Sequence, residues 1–266
     1  MYEAFYSLKK RPFSKAISPD DLYPCESALE TQSRLEYLKQ IRGIGVITGE
    51  PGSGKSTQLR AFSQGLNPSV YKVMYFPLST GTVMDFYRGI AGCLGEIPRF
   101  RKVELFHQIQ EAISRFFQEE RMTPVIILDE MHLSRPRFLS EITILFNFSM
   151  DSKNPFILIL SGLDYLSERL QLNQNRSLNQ RVVMRYKLEA LSEDDCKGYI
   201  QHQLKLAGAN TPIFEESGLK AIAQRTRGIP RLINNVCTDA LITGAANQVH
   251  RISDEIVYQA CETLSF

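Results

Sequence analysis

The sequence predicts an α/β protein in which a parallel β-sheet flanked by helices precedes a small all-helical domain. Two apolar segments, 44–48 and 125–128, have the composition of buried strands, and each is followed at once by polar residues suited to binding a ligand. From Ser192 onward the pattern becomes helical, without a strong strand signal. The predicted domains are an N-terminal arm at 1–26, an α/β core at 27–190 and a helical lid at 191–266.

The amino-acid composition is that of an ordinary soluble globular protein. The 266 residues are 43% hydrophobic and 23% charged, and the net charge of +2 means that any nucleic-acid surface must be a local patch. The five cysteines are far apart and form no C-x-x-C pair, which argues against a zinc site or a disulfide scaffold. No apolar run reaches the ~18–20 residues that span a bilayer, and no signal peptide is visible, so we expect a soluble, cytoplasmic protein without a membrane partner.

A phosphate-binding loop is the strongest signal in the sequence. Residues 49–56 read G-E-P-G-S-G-K-S, between a predicted strand and a predicted helix at 57–64. The glycines let backbone N–H groups converge on phosphates at a helix N-terminus, Lys55 adds a positive charge, and the Ser56 hydroxyl can ligate Mg²⁺. A chance glycine-rich turn is the alternative, but the complete motif in this context disfavours it. The predicted nucleotide-binding residues are Gly49, Glu50, Pro51, Gly52, Ser53, Gly54, Lys55, Ser56 and Thr57.

Two acids follow the second buried strand. Asp129 is placed to hold Mg²⁺, directly or through water, and Glu130 to activate the attacking water. An adjacent Asp-Glu pair favours hydrolysis over transfer to an acceptor substrate, although two acids can also simply end a strand. Ser161, at the end of another apolar segment, lies where it can sense a γ-phosphate or align the water. The motifs predict a nucleoside triphosphatase.

Basic residues occur in three further places. The loop 98–102 reads P-R-F-R-K, which suits either a solvated turn or a contact to a nucleic-acid backbone. Arg135 and Arg137 either carry surface charge or face DNA together with that loop. The candidate DNA-contacting residues are Arg99, Arg101, Lys102, Arg135 and Arg137. Arg176, Arg181 and Arg185 form either a solvated face or the source of an arginine finger that reaches a neighbouring subunit.

Other segments carry weaker signals. We expect His132 to be a local packing or hydrogen-bonding residue rather than a metal ligand, and the aromatic N-terminal arm either to pack on the core or to cover an adenine base. The remaining predicted elements are strands at 71–76 and 156–161, helices at 27–42, 82–94 and 103–120, a helix beginning with Pro136, and lid helices that begin at Ser192 or lie at 215–224, 232–245 and 253–264.

With these motifs in place, the chain resembles the AAA+ ATPases. The Walker A and Walker B motifs at 49–56 and 126–130 are joined by a sensor-1-like Ser161 and a sensor-2-like G-I-P-R at 228–231. More narrowly, the chain is similar to the ExeA/TniB-like branch, through F-Y-S-L-K-K-R-P-F at 5–13, D-L-Y-P at 21–24 and G-I-P-R-L-I-N at 228–234. The resemblance implies a P-loop NTPase fold, ATP and Mg²⁺ as cofactors, and Arg231 as a nucleotide contact from the lid. It also implies Arg181 as the finger, with Arg176 and Arg185 as alternatives.

The resemblance implies two biological settings, a secretion-assembly ATPase and a stand-alone regulator of transposition like the TnsC and TniB proteins. Because the sequence stops at Phe266 without a membrane segment, we expect the second setting. The expected protein binds duplex DNA with ATP, oligomerises on it as a ring, spiral or filament, and regulates target selection or a transposase. The alternatives are a secretion-type ATPase that does not bind DNA and a nucleotide-gated scaffold with negligible turnover.

Overall fold

A computed structural model describes residues 2–14, 17–77 and 81–263. Within these residues, five strands form one parallel sheet in the order β2-β3-β4-β1-β5. The strands are β1 (Gly43–Gly49), β2 (Tyr71–Phe76), β3 (Thr123–Leu128), β4 (Ile157–Gly162) and β5 (Val182–Leu188). The predicted α/β class and parallel sheet are confirmed.

The helices lie before, between and after the strands. They are α1 (Tyr2–Phe5), α2 (Glu26–Ile41), α3 (Lys55–Gly65), α4 (Val83–Cys93), α5 (Lys102–Gln118), α6 (Pro136–Leu145), α7 (Tyr165–Gln171), α8 (Arg176–Arg181), α9 (Glu193–Leu206), α10 (Glu216–Thr226), α11 (Pro230–Ala246) and α12 (Asp254–Thr263). Short 3-10 turns occupy Pro19–Asp21, Met131–Leu133, Ser149–Asp151 and Asn173–Asn175. Among the described helices, none has both the length and the apolar character that a membrane crossing requires.

Alternation along the central strands supplies two apolar cores. On β3, Ile126 and Leu128 belong to a cluster with α4, α5 and α6, whereas Val125 and Ile127 pack with residues of α2 and α3. Successive side chains of a strand point to opposite faces, so a strand covered on both sides reads as a continuous apolar run. This double coverage explains why the run that precedes Asp129 was recognisable from the sequence.

The described residues fall into two compact units. The sheet unit is drawn from Glu30–Gly49 and Lys55–Leu188, and the helical unit from Met1–Leu29, Glu50–Gly54 and Glu189–Phe266. Helices α9 to α12 share one apolar core in the helical unit, and Tyr6 and Leu8 of the N-terminal arm are buried in it. The Tyr6 hydroxyl also donates a hydrogen bond to the Val249 carbonyl at 2.8 Å. The described part of the arm therefore packs on an apolar core, which is one of the two alternatives given above, and that core belongs to the helical unit.

Two features of the observed elements were not identified from the sequence, and one predicted helix end lies outside the described residues. Leu29 is 58% exposed and does not share the buried face of Leu35 on α2, because six residues at about 100° each place it about 120° away around the helix. Strand β5 was not identified from its own pattern, since it is half exposed and carries Arg185 and Lys187. The predicted last lid helix extended to Leu264, which lies outside the described residues.

Candidate nucleotide-binding site

The phosphate-binding loop connects β1 to α3, and its two ends, Gly49 and Lys55, belong to the sheet unit. Lys55 is the first residue of α3 and is only 7% exposed, and its Nζ donates a hydrogen bond to the Gly49 carbonyl at 2.9 Å. This contact holds the ammonium group at the beginning of the helix, beside backbone N–H groups that have no intrahelical acceptor. Ser56 and Thr57 follow in the first turn of the same helix. The arrangement suits an anion such as a phosphate.

In the helical unit, the middle of the loop lies against the beginning of α11. Gly52 has φ of +84°, and a Cβ there would come within 2.7 Å of the Arg231 Cβ. The Arg231 N–H also donates to the Gly52 carbonyl at 3.3 Å. The predicted lid arginine is therefore brought to the loop through its backbone, while its side chain is exposed.

The turn that carries Arg231 is fixed by close packing. Gly228 has φ of +74°, and a Cβ there would overlap the Leu191 carbonyl oxygen. The Leu191 N–H donates to the Gly228 carbonyl at 2.9 Å, and Pro230 then begins α11. Only glycine combines this dihedral angle with this close approach.

Asp129 is the centre of a buried hydrogen-bond network at the end of β3. Its side chain is 3% exposed, and its Oδ2 accepts hydrogen bonds from the Ser56 and Tyr75 hydroxyls, both at 2.9 Å. Its Oδ1 accepts from the Glu130 N–H at 2.9 Å. Burial raises the pKa of Asp129. The interactions with Ser161, Tyr75 and Ser56 together lower it by more than burial raises it, so the pKa of Asp129 is below its ordinary value. The carboxylate is therefore ionised at neutral pH.

Ser161 lies at the end of β4 and is fully buried. Its Oγ has no hydrogen bond of ordinary geometry within the described residues, yet it is close enough to Asp129 to lower the pKa of that carboxyl group. Ser161 therefore retains capacity for a further partner.

Glu130 has an unusual backbone conformation. Its φ of 57° is in the left-handed region, and it precedes the 3-10 turn Met131–Leu133. The side chain is 50% exposed, and Oε2 lies 3.4 Å from His132 Nδ1. His132 thus has a local hydrogen-bonding environment, as the sequence analysis expected. The sequence analysis missed Tyr75, which donates to Asp129, and Arg169, which donates to the Met131 and His132 carbonyls at 3.3 and 3.0 Å.

The three candidate finger arginines differ in their contacts. Arg181 donates to the Thr143 carbonyl at 2.7 Å, and Arg185 donates to the Asn179 carbonyl and side-chain oxygens at 2.8 and 2.7 Å. Burial lowers the pKa of Arg185. Arg176, the first residue of α8, is exposed. The assignment of a finger stays a prediction.

The five basic DNA candidates are all exposed and lie in the sheet unit. Lys102 at the beginning of α5 pairs with Glu141 of α6 at 2.6 Å, and the Tyr87 hydroxyl donates to the same carboxylate at 3.0 Å. Arg137 lies one turn before Glu141 on α6, so its side chain is on the same side of that helix. The Lys102–Glu141 ion pair therefore joins the end of the 98–102 loop to α6.

The residues fit a nucleotide with Mg²⁺. Ser56 and Asp129 offer the oxygen ligands that Mg²⁺ prefers, alongside phosphate and water. No group of three or more His, Cys, Asp or Glu that could hold a metal occurs in the described ranges. The Ser53 hydroxyl in the loop is buried and unpartnered by any described atom, so it is available to a ligand.

Comparison with known proteins agrees with this geometry. Residues 39–170 match the AAA domain family. General secretion pathway protein A of Aeromonas hydrophila is 31% identical over 256 residues, which is 95% of this chain and 46% of that protein. The chain thus spans less than half the length of this relative.

Solved structures share the fold at lower identity. Cdc6p from Pyrobaculum aerophilum aligns with a TM-score of 0.71 and 16% identity, over 95% of this chain and 70% of that one. The Drosophila ORC bound to DNA aligns with a TM-score of 0.72 and 16% identity, over 100% of this chain and 66% of that one. Residues 39–170 thus match the AAA domain family, the chain is similar in sequence to general secretion pathway protein A, and its fold is shared with these solved structures.

Proposed function

We propose that this chain is an ATP-driven switch that binds duplex DNA in its ATP-bound form, oligomerises on it and regulates transposition. The observation that supports the DNA part is the Lys102–Glu141 ion pair, which joins the end of the 98–102 loop to α6, the helix that begins beside Arg135 and Arg137. We propose that these two basic segments contribute to one basic face. The catalytic part depends on the Asp129 network.

The proposed chemistry assigns one task to each residue of the site. The loop N–H groups and Lys55 bind the phosphates, and Ser56 and Asp129 would hold Mg²⁺, which neutralises phosphate charge when it is bound. Glu130 accepts a proton from the attacking water. The Ser161 hydroxyl, which lacks a well-aligned partner, donates to the water or to the γ-phosphate. Arg231, which lies beside Gly52 of the loop, contacts the bound nucleotide.

The basic loop is held in place before any ligand arrives. The Gln108 side chain donates to the Ile97 carbonyl at 2.9 Å and accepts from the Arg99 N–H at 3.2 Å. Glu96, just before the loop, pairs with Arg115 at 2.7 Å. These bonds present Phe100 to solvent, 87% exposed, between two arginines. A fixed, exposed loop loses little conformational entropy when it binds, which supports a recognition role.

The proposed contact is to the DNA backbone and is independent of base sequence. Lys102 is already paired with Glu141, so Arg99, Arg101, Arg135 and Arg137 are the main sources of positive charge. Four cations per subunit bind weakly on their own, and an oligomer that aligns several subunits on one duplex multiplies the effect. Arg181 or Arg176 of a neighbouring subunit is proposed as the finger that links ATP binding to assembly.

Co-sedimentation of the protein with duplex DNA tests this proposal. We expect DNA and protein to pellet together with Mg²⁺ and a slowly hydrolysed ATP analogue, and to separate without nucleotide. The triple variant R99A/R101A/R137A should lose this association. The matched control K72A/R121A/K153A removes the same charge from other exposed positions of the sheet unit and should retain it. Equal loss in both triples would contradict a specific DNA face.

A secretion-assembly ATPase is the second candidate function. The 31% identity to general secretion pathway protein A over most of this chain favours it directly. In that case the protein should bind and hydrolyse ATP, and adding duplex DNA should change neither the affinity for the nucleotide nor the rate of turnover. Turnover by E130Q would distinguish both candidates from a passive scaffold, because Glu130-dependent hydrolysis should fall about 100-fold or more in the two enzymatic cases.

A further inference from the structure

An apolar cleft lies between the N-terminal arm and the second half of α11, entirely within the helical unit. Its volume is about 780 Å³, which falls within the range of about 300–1,000 Å³ that is typical of small-molecule sites. We call it the arm cleft. Its apolar lining comes from three aromatic rings of the arm and from one side of the helix: Tyr2, Phe5, Phe13, Ile242, Ala245 and Ala246.

Helix α11 has a second apolar side that the helical core does not cover. Val236 and Leu241 are fully buried in that core. Thr238, Ile242 and Ala245 recur at i, i+4 and i+7, so they lie along another side of the helix, and all three line the arm cleft. Ile242 is 50% exposed although it is a large aliphatic residue. The small alanine leaves space beside it, so this side of α11 forms an unfilled apolar wall.

The arm is held firmly next to the cleft. The Lys9 N–H donates to the Ala207 carbonyl at 2.8 Å. A Cβ on Gly244 would come within 2.4 Å of the Tyr6 hydroxyl, so the arm touches α11 one residue before Ala245. Because packed protein interiors leave few voids larger than a water molecule, a cleft of this size beside such close contacts is a feature of the fold and not loose packing.

A guanidinium group lies at the exposed edge of the cleft. Arg11 lines the cleft and its side chain is 76% exposed, while its Nε contacts Glu3 Oε1 at 3.2 Å. Within the described residues, no hydrogen bond engages its two Nη groups. Lys9 and Lys10 precede it and are also exposed, so the cations here outnumber the carboxylates of Glu3 and of Asp21, which pairs with Lys10 at 3.8 Å. This edge is suited to an anion, which a guanidinium can bind through two N–H groups.

The α11 wall suits an alkyl chain better than a peptide backbone. The backbone groups of α11 are hydrogen-bonded within the helix, and Thr238 Oγ1 donates to the Asn234 carbonyl at 2.7 Å. A peptide laid against this wall would bury N–H and C=O groups without partners, which costs free energy, whereas an alkyl chain has no such groups.

We propose that the arm cleft binds a small anionic amphiphile, a carboxylate with an unbranched alkyl chain. The chain lies between the aromatic rings of the arm and Ile242, and the carboxylate accepts hydrogen bonds from the Nη groups of Arg11. Such a ligand contacts both the arm and α11, so it stabilises the packing of one on the other. The site is separate from the phosphate-binding loop and does not depend on the proposed DNA or ATPase roles.

Isothermal titration calorimetry of the full chain with decanoate and with decan-1-ol tests the charge preference. We expect saturable, one-to-one binding of decanoate and about tenfold weaker binding of the uncharged alcohol, the amount that a hydrogen bond to a charged group predicts. R11A should weaken decanoate binding about tenfold and leave decan-1-ol binding unchanged. R251A, at an exposed arginine of the helical unit, is the matched control and should bind both ligands as the parent does.

Filling the cleft tests its location. A245F and A246F place a ring in the space for the alkyl chain and should weaken binding of both ligands at least about tenfold. N247F adds the same ring at an exposed residue that does not line the cleft and should retain parental affinity. Circular dichroism checks that each variant is folded, and ATP turnover by A246F should match that of the parent.

Four results would overturn the proposal. They are the absence of saturable decanoate binding, equal affinities of the parent for decanoate and decan-1-ol, unchanged decanoate affinity in R11A, and parental decanoate affinity in folded A245F and A246F. Self-association of the parent that A246F abolishes, measured by analytical ultracentrifugation without ligand, would also overturn it, because the cleft would then belong to an interface with a second copy of the chain.

Discussion

The catalytic edge of the sheet and the basic face differ in how far their polar groups are already satisfied. At the catalytic edge, Lys55, Asp129 and Ser161 are 7%, 3% and 0% exposed and lie within hydrogen-bond or electrostatic contact of neighbouring groups. The basic face, defined by Arg99, Arg101, Lys102, Arg135 and Arg137, is exposed throughout. A preorganised, buried site depends on each of its members, whereas exposed cations act nearly independently. Substitutions should therefore have large, non-additive effects at the first region and small, additive effects at the second.

The largest effect is expected at Lys55. Lys55→Ala removes the buried ammonium from the phosphate-binding loop, and we expect ATP turnover to fall about 1,000-fold and nucleotide-dependent assembly to be lost. Turnover and analytical ultracentrifugation measure the two effects. Lys153→Ala, at an exposed site of the sheet unit, serves as the control and should match the parent. Parental turnover in Lys55→Ala would remove the contrast between the two regions.

Acidification should destabilise the fold through Asp129. The folded-state pKa of Asp129 is lowered from 3.8, so the stability it contributes is present above that pH and is lost as pH falls through the folded-state pKa. We expect the free energy of unfolding of the parent to fall more than that of Asp129→Asn across this range, because only the parent carries a carboxylate that must be protonated. Urea unfolding at pH 6 and at successively lower pH values measures the difference. Parallel curves would mean that the network does not stabilise the carboxylate.

Tyr75→Phe should have a moderate effect, because it removes one of the two hydroxyl donors to Asp129 Oδ2. The loss of about 1 kcal/mol corresponds to about fivefold in the Mg²⁺ concentration needed for half-maximal turnover. Tyr165→Phe, at an exposed tyrosine on α7, is the matched control. If the Mg²⁺ dependence of Tyr75→Phe equals that of the parent, the hydroxyl has only a structural role.

The smallest effects are expected for single arginines of the basic face. Arg99→Ala and Arg101→Ala should each weaken DNA binding about threefold at moderate salt, and the double variant should weaken it by the product. The slope of log K against log salt should fall by about 1 for each residue removed. Fluorescence anisotropy across a salt series measures both quantities. A loss in the double variant far above the product would show that the basic face is a cooperative site and not a set of independent cations.

Local patterns made the loop and the two acids predictable, because their residues are contiguous and lie between apolar strands. The predicted bounds of β2, Tyr71–Phe76, are also the observed ones. Tyr75 is 54 residues before Asp129 in the sequence, and the pairing of β2 with β3 brings the two side chains into contact. Arg169 reaches the turn after β3 across a separation of 37 and 38 residues. Such contacts depend on strand order and register, which no short sequence pattern encodes.

Exposure also limited what could be read from the sequence. Strand β5 is an edge strand and is only partly buried. Because it carries Arg185 and Lys187, its sequence lacks the continuous apolar run that identified the central strands. The residues of the basic face were identified from the sequence, but as two separate segments. The contact between Lys102 and Glu141 depends on the packing of α4, α5 and α6 in one apolar cluster.

The left-handed backbone of Glu130 places activity and thermal resistance in opposition at one residue. A non-glycine residue in this conformation costs about 1 kcal/mol, which the rest of the fold must offset. Among variants that lack the carboxylate, glycine should therefore melt at a higher temperature than alanine, and under the proposed role of Glu130 both should be inactive. Selection for heat resistance alone would favour glycine at this position. Retention of glutamate there, in any thermally selected library, would accordingly report that ATP hydrolysis was itself under selection.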